Sequence, residues 1–383
     1  MPWSETTPVE QRLQFVADAL SDRYTMAALC ARYGVSRRVG YKWVARFNEE
    51  GRRGLRDRSR APHHCPHKIP AEVADLLCQF RETHPGWGAR KLLAVLQRRH
   101  PRIRHWPAAS TAADLLARRG LVLKRRTRRR VVHPGVVPIV TAAPNDLWTA
   151  DFKGQFRTGD GRYCYPLTIA DQHTRFLLTC HGVLSTETVR AKPIFERTFQ
   201  EYGLPAAIRT DNGVPFATQA LHGLSYLNVW WMRLGIQHQR IRPGCPQENG
   251  AHERMHRTLK RHAVKPVQAT CAKQQRQFEA FRQEYNTERP HEALAQETPA
   301  SRYQSSPRPY PRRLPPLEYP GHFLVKKVTT AGTFRFQHRL IYLANALVDQ
   351  RIGLEETDDG LWAIYFNTVL IGTMDERDGI VHG

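Results

Sequence analysis

The sequence predicts a multidomain protein in which two all-α helix-turn-helix modules precede an α/β core and a small C-terminal β-barrel. Three observations predict this order. Apolar residues recur at helical spacing in the first third, strand and helix patterns alternate in the middle, and short strand patterns follow a proline-rich stretch. The predicted boundaries are residues 1–60 and 61–130 for the modules, 140–300 for the core and 320–383 for the barrel.

The chain is strongly basic. Its 383 residues include 58 Lys and Arg against 35 Asp and Glu, giving a net charge of +23 and a pI near 10.2. Such a field attracts polyanions, and nucleic acid is the first candidate. No apolar run approaches the ~20 residues of a membrane helix, so no membrane partner is expected. Without a secretory pattern, and with seven irregularly spaced cysteines, the protein is expected in a reducing cytoplasm.

The first module has the layout of a helix-turn-helix. Gly34 ends one apolar helical pattern, and Ser36 is placed to cap the next helix. In this motif the second helix enters the major groove with its first residues, here Arg37, Arg38 and Tyr41. The alternative is a plain helical hairpin, but two arginines at the helix start favour double-stranded DNA binding.

The sequence of the second module predicts three helices, and Ser110 and Thr111 are expected to cap the last of them. We expect another helix-turn-helix there, with or without a wing. A basic run without acidic residues extends from Arg118 to Arg130. Because it joins two DNA-facing segments, tracking along phosphates is favoured over a solvated linker. The arginines predicted to contact DNA in this run are Arg125, Arg126, Arg128, Arg129 and Arg130.

Acidic residues mark three distant pieces of the core. Asp151 lies in a predicted strand at residues 147–152, and Asp211 directly follows another at 207–210. Ligands of α/β sheets gather at such strand ends. Glu253 lies on a helix predicted at residues 247–262. One carboxylate from each piece would let the three share a metal site, and Mg²⁺ prefers oxygen ligands of this kind.

On that last helix, Glu253, Arg257 and Lys260 are spaced four and then three residues apart, so they share one face. A carboxylate beside two cations suits a site that holds DNA phosphates. The alternative is an exposed Glu–Arg pair contributing a few tenths of a kcal/mol. Taken alone, that pair would be the better interpretation; beside two other acidic motifs, it is not.

These motifs resemble the integrase core of bacterial insertion-sequence transposases and retroviral integrases, which has an RNase-H-like fold. The similar elements lie within about residues 145–300 and include Trp148-Thr149-Ala150-Asp151, Thr210-Asp211-Asn212-Gly213 and Asn249-Gly250 followed by Glu253-Arg254. The resemblance implies a catalytic Asp-Asp-Glu triad carried by Asp151, Asp211 and Glu253. It implies that the same residues hold two Mg²⁺ ions, or Mn²⁺. Glu248 lies nearby, but the family varies at that position.

The resemblance also implies an activity. The protein would bind the terminal inverted repeats of a mobile element, cleave its ends and join the 3′-hydroxyls to target DNA by transesterification. Because two ends must be paired, a homodimer or tetramer on DNA is expected. One alternative is an inactive regulator derived from a transposase, which the intact acids argue against. Another is an RNase-H-like nuclease, which the DNA-reading modules argue against.

Further expectations concern the histidines and the C-terminal part. His238, His252 and His256 are expected to be solvated or to contact phosphates. Seven prolines between residues 298 and 320 predict a stiff, extended linker. The strand patterns after it predict an SH3-like barrel, which would bind DNA or pack against another subunit.

Overall fold

A computed structural model describes residues 6–60, 68–122, 141–218, 223–242 and 246–382. The chain divides into two compact units, residues 1–68 and residues 69–383. No helix among the described residues is long and apolar enough to cross a membrane.

The first unit is built from three helices, α1 (Pro8–Leu20), α2 (Met26–Arg32) and α3 (Arg37–Glu50). The Ser36 hydroxyl accepts a hydrogen bond from the third residue of α3, and Gly34 takes a φ of 63° in the turn before it. The predicted helix-turn-helix and its cap are therefore confirmed. Its core consists of the apolar side chains Phe15, Val16, Leu29, Cys30, Trp43 and Leu55.

The second unit begins with α4 (Ala71–Thr83), α5 (Ala89–Arg99) and α6 (Ala109–Arg118), which pack around the buried Trp87. The predicted caps of α6 are wrong. Ser110 and Thr111 lie inside its first turn, because the helix begins directly after Pro107 and Ala108. Residues 68–122 contain helices only, so no wing strand lies in this described stretch.

Helix α5 docks on the core through polar contacts. Arg98 Nη2 donates to the carbonyl of Gln296 at 3.1 Å, and Arg90 pairs with Glu292 at 3.2 Å. A Cβ on Gly86 would lie 2.4 Å from His262 Nε2, so only glycine fits there without a shift.

The core is a mixed sheet with helices on both faces. Its strands are β1 (Leu147–Phe152), β2 (Phe156–Arg157), β3 (Tyr163–Asp171), β4 (Leu177–Val183), β5 (Ala207–Thr210) and β6 (Gln237–Arg240). The order is β4-β3-β1-β5-β6, with β2 on one end of β3; β1, β3 and β4 run antiparallel, and β5 and β6 run parallel to β1. The predicted α/β core is confirmed.

Two helices cover each face of this sheet. Trp148 and Ala150 of β1 pack on one face against α7 (Thr188–Tyr202) and α8 (Tyr226–Arg233). On the other face Ala170 and Leu177 pack against α9 (Gly250–Leu259) and α10 (Cys271–Thr287). The helix predicted at residues 247–262 is interrupted. A 3₁₀ turn precedes α9, and a π-helical turn at Lys260–Val264 follows it.

Residues 302–320, called the strap below, are extended but do not form a free linker. The Arg308 guanidinium donates to the carbonyls of Pro205 and Leu234, each at 2.9 Å. Tyr303 and Leu314 pack against the core cluster that contains Trp148. The strap therefore belongs to the surface of the core.

The C-terminal strands form two antiparallel sheets. They are β7 (Leu324–Lys327), β8 (Thr333–Phe336), β9 (Arg339–Tyr342), β10 (Arg351–Asp358), β11 (Leu361–Phe366), β12 (Val369–Asp375) and β13 (Val381–His382). The five-stranded order is β13-β12-β11-β10-β7, and β8 pairs with β9. Val229 and Met232 of α8 belong to the hydrophobic core of these sheets. The C-terminal sheets therefore pack directly on helix α8 of the mixed-sheet core. A closed SH3-like barrel stays a prediction.

Candidate active site

Two parallel strands carry the first two acidic residues. β1 pairs with β5 in a register that sets Thr149 beside Arg209. Extended by two residues, the same register brings Asp151 alongside Asp211, and neighbouring strands lie about 4.8 Å apart. Both carboxyl groups therefore occupy the edge of the sheet at which the parallel strands end.

Asp211 is held by the bend that follows it. The backbone N–H of Gly213 donates to Asp211 Oδ1 at 3.2 Å, and Asn212 Nδ2 donates to the carbonyl of Ile241 at 3.0 Å. A Cβ at position 213 would lie only 3.1 Å from Asp211 Oδ2. Glycine thus lets the backbone approach the carboxylate closely.

Glu253 is exposed in the first turn of α9, where a negative charge interacts favourably with the helix dipole. Glu248 is instead bound by Arg242, whose Nε donates to Oε1 at 2.6 Å and whose backbone N–H donates to Oε2 at 3.0 Å. These bonds hold the pKa of Glu248 below its usual range. They occupy Glu248 and leave Glu253 as the better candidate for the third carboxylate.

The charges of the three acids meet at Asp151. Burial raises the pKa of its carboxyl group to about 7, and the like charges of Asp211 and Glu253 act in the same sense. A backbone hydrogen bond from Phe152 and the charge of Lys153 act in the opposite sense. Lys153 was not predicted, although it lies two residues after Asp151 and the period of a strand could have indicated it.

Two buried histidines lie behind Asp151. His252 and His256, one turn apart on α9, are 2% and 7% exposed. Thr168 Oγ1 lies 2.7 Å from Nε2 of both rings, and Thr149 Oγ1 lies 2.8 Å from His252 Nδ1. Burial lowers the pKa of His252 to about 3 and that of His256 to about 2, so both imidazoles are neutral at pH 7.

The hydrogen bonds of Thr168 fix the direction of this network. Its hydroxyl donates to the carbonyl of Asp151 at 3.0 Å, so its oxygen accepts from Nε2–H of both rings. The Nδ1 lone pair of His256 then faces Asp151 Oδ2 at 3.7 Å. This arrangement suits a protonated Asp151 in the metal-free protein.

The expectation that these histidines are solvated or contact phosphates is wrong for His252 and His256. His252 and His256 are buried between α9 and the sheet, and a hydrogen-bonded imidazole fills such a place as an apolar side chain would. His238 is half-buried; its Nε2 pairs with Thr210 Oγ1 at 2.9 Å, and burial lowers its pKa to about 4.

The donor set of the three acids fits a hard divalent cation. Asp151, Asp211 and Glu253 offer only oxygen, the ligand that Mg²⁺ and Mn²⁺ prefer, and a cation would relieve the repulsion felt at Asp151. Donor atoms of Asp151, His252 and His256 also lie within 4.8 Å of one another. Three of the four ring nitrogens of these histidines are already paired with threonine, so the carboxylate set is favoured.

The residues predicted to contact DNA lie in three places. Arg257 and Lys260 are exposed on the flank of α9 that carries Glu253. Arg37, Arg38 and Tyr41 are exposed at the start of α3 in the first unit. The arginines of the basic run lie outside the described residues: Arg125, Arg126, Arg128, Arg129 and Arg130.

Known sequence families match four stretches of the chain. Residues 141–246 and 234–299 each match an integrase core domain. Residues 11–63 match a helix-turn-helix domain, and residues 39–132 match a homeodomain-like domain. The integrase-core matches cover the mixed sheet, α9 and α10, and the helix-turn-helix match covers the three helices of the first unit.

Related proteins occur in bacterial insertion elements. A 39.2 kDa protein of insertion element IS476 from Xanthomonas euvesicatoria, named uncharacterized, is 28% identical over 71% of this chain and 71% of its own length. A 31.7 kDa protein of IS407 from Burkholderia multivorans, also named uncharacterized, is 27% identical over 61% of this chain and 79% of its own. A chain from the simian T-cell lymphotropic virus intasome in complex with PP2A regulatory subunit B56 gamma superposes on 77% of this chain and 97% of that chain, with 16% identity and a TM-score of 0.38.

Thr168→Val is expected to lower the free energy of unfolding by roughly 2–3 kcal/mol, because it leaves the Nε2 atoms of two buried imidazoles without a partner. Urea denaturation measures the loss. The matched control is Thr179→Val on β4, which loses a 2.8 Å bond to Thr198, a residue that also bonds the Ile194 carbonyl. Equal losses in the two variants would contradict the central place of Thr168.

Asp151→Asn is expected to raise the melting temperature at pH 8 in EDTA. The pKa of Asp151 is raised in the folded state, so the stability that its proton confers is present below about pH 4 and is lost as the pH rises through 7. The gain should therefore shrink at pH 5. Asp171→Asn is the control with the opposite sign, because Asp171 accepts from the N–H groups of Asn145 and Thr174. A gain that is the same at both pH values would contradict the assignment.

Proposed function

The chain carries an integrase core of the insertion-sequence transposase type, and on that premise we propose that it cleaves the ends of a mobile DNA element and joins them to target DNA. The observation that carries the proposal is the meeting of three acidic charges, from β1, the end of β5 and α9, at Asp151. Acidic residues from distant parts of a sequence that perturb one another's pKa are candidates for a shared functional site.

The three carboxylates Asp151, Asp211 and Glu253 would hold two Mg²⁺ ions, with Mn²⁺ as a substitute. Such a pair, when bound, activates the attacking oxygen and stabilises the leaving oxygen in phosphoryl transfer. The register of β1 and β5 orients two of the donors, and the buried histidines of α9 orient the third. Arg257 and Lys260 would neutralise DNA phosphates beside the acids.

The proposed reaction has two balanced steps. In cleavage, a water oxygen bonds to phosphorus at the element end, and the 3′-oxygen leaves and takes up a proton. In joining, that 3′-hydroxyl gives up its proton and bonds to a phosphorus of the target strand, whose own 3′-oxygen leaves. Each step forms one P–O bond and breaks one, so neither ATP nor a covalent protein intermediate is required.

Recognition of the element ends is assigned to the helical domains. Helix α3 would read the major groove through Arg37, Arg38 and Tyr41, and the basic run would follow phosphates. Two ends must be held together, so a dimer or tetramer would assemble on DNA in the bacterial nucleoid. An inactive regulator would not need the intact acids, and a nuclease that only hydrolyses would not need end-reading domains.

Neutralising the acids is expected to abolish cleavage and joining and to preserve DNA binding. Asp151→Asn, Asp211→Asn and Glu253→Gln each remove a negative donor at the proposed metal site. The measurement is transfer of a labelled duplex with the element's terminal repeats into plasmid, with Mg²⁺ or Mn²⁺. Glu248→Gln is the control and should keep most of the activity. An active Glu253→Gln beside an inactive Glu248→Gln would overturn the choice of third carboxylate.

Arg37→Gln and Arg38→Gln are each expected to weaken binding to the terminal-repeat duplex by about tenfold or more, because each removes a base or phosphate contact. Fluorescence anisotropy with the repeat and with a scrambled duplex measures the change. Arg23→Gln, an exposed cation of the same unit outside α3, is the control. If all three variants lose the same affinity for both duplexes, α3 does not read the sequence.

A further inference from the structure

A basic pocket of about 280 Å³ lies between α5 and the core, outside the three-acid site. Four cationic side chains line it from separate elements: Lys91 from α5, Arg175 from the turn between β3 and β4, Arg254 from α9, and Arg289 after α10. Arg175 adopts a φ of 65°, a backbone conformation that costs free energy for a residue with a side chain.

The cations of this pocket lack partners. Arg175 Nη1 is buried without a hydrogen bond, and the side chains of Lys91, Arg254 and Arg289 make no hydrogen bond or ion pair within the described part of the chain. The only acidic residue in the lining, Glu292, is exposed and pairs with Arg90. Arg254 is exposed, but Lys91, Arg175 and Arg289 are half-buried. Partly desolvated charges without a partner are costly, and an anion would satisfy them.

The electrostatics point to the same deficit of negative charge. Burial, with the charge of Arg289 acting in the same sense and that of Glu292 in the opposite sense, lowers the pKa of Lys91 to about 8. Burial lowers the pKa of His291 to about 3, with Lys91, Arg289 and Arg175 acting in the same sense. These cations therefore repel one another and do not hold α5 against the core. Other contacts do so, such as the bond from Arg98 to the Gln296 carbonyl.

We propose that this pocket binds a backbone phosphate of duplex DNA. The phosphate would accept hydrogen bonds from the guanidinium groups of Arg175 and Arg289 and from the Lys91 ammonium. The assignment rests on the proposed function in one respect, that the phosphate comes from DNA.

The pocket phosphate is distinct from the reacting one. Arg254 and Thr258 of α9 line the pocket, whereas neither the three acids nor Arg257 are among its lining residues. The lining therefore does not include the proposed catalytic carboxylates. One helix would therefore hold two phosphates of the same DNA, one at the acids and one at the pocket.

Thermal unfolding of the full chain with inorganic phosphate, at constant ionic strength in chloride, tests the pocket. The wild type should show a saturable rise in Tm. Lys91→Met should be at least as stable as the wild type without phosphate, because it removes a buried unpaired charge, and should lose the rise. Arg190→Gln, an exposed cation on α7, should keep it. The proposal would be overturned if the wild type shows no rise in Tm with phosphate. It would also be overturned if Lys91→Met is less stable than the wild type in the absence of phosphate.

Salt-dependent DNA binding separates the two sources of phosphate. Lys91→Met and Arg289→Gln should each reduce the slope of log K against log salt by about 1, whereas Arg190→Gln should leave it unchanged. Loss of the phosphate effect with unchanged DNA binding would assign the pocket to free phosphate and overturn the DNA assignment. Neither measurement needs turnover. A wild type that satisfies both arms but never joins DNA would overturn the proposed function and leave the pocket standing.

Discussion

The seating of α9 on the sheet is the constraint on which the candidate site depends. Its inner stripe consists of Met255 and Leu259, which pack against α10, and of His252 and His256, which hydrogen-bond to threonines of the sheet. A helix held only by apolar contacts could slide or rotate at little cost. Directed hydrogen bonds to Thr168 remove that freedom, because a shifted imidazole would be buried without a partner.

The same threonine connects α9 to the strand that carries the first acid. Thr168 lies on β3, opposite Asp151 in the antiparallel ladder, and its hydroxyl donates to the Asp151 carbonyl. The three carboxylates therefore share a rigid frame of β1, β3, β5 and α9. A preorganised set of this kind keeps like charges close together, which lowers the stability of the metal-free protein. The raised pKa of Asp151 reflects this repulsion together with burial.

The sequence predicted the elements that have local signals. Ser36 and Gly34 mark a helix start and a turn by their own chemistry, and the strand that carries Asp151 begins with the large apolar residues Leu147 and Trp148. The basic flank of α9 follows from helical spacing, whereas the triad is implied by the family resemblance and stays a prediction. The burial of His252 and His256 had no local signal, because histidine in a charged segment resembles a solvated residue until its threonine partners are known. The strap was missed for a related reason. Prolines predict extension, but the bonds of Arg308 reach residues about 70 to 100 positions away, which composition does not encode.

The packing of the strap and the C-terminal sheets on α8 has a consequence for shortened copies of the gene. A polypeptide ending near residue 300 would keep all three acids, yet Val229, Met232 and Trp230 would lose the side chains that cover them. Apolar surface exposed in this way favours aggregation. A truncated chain of this kind would therefore tend to aggregate, and it would not remain as a folded protein that competes for DNA ends. The last 80 or so residues are thus needed both for the activity of the full chain and for any inhibition by a shortened copy.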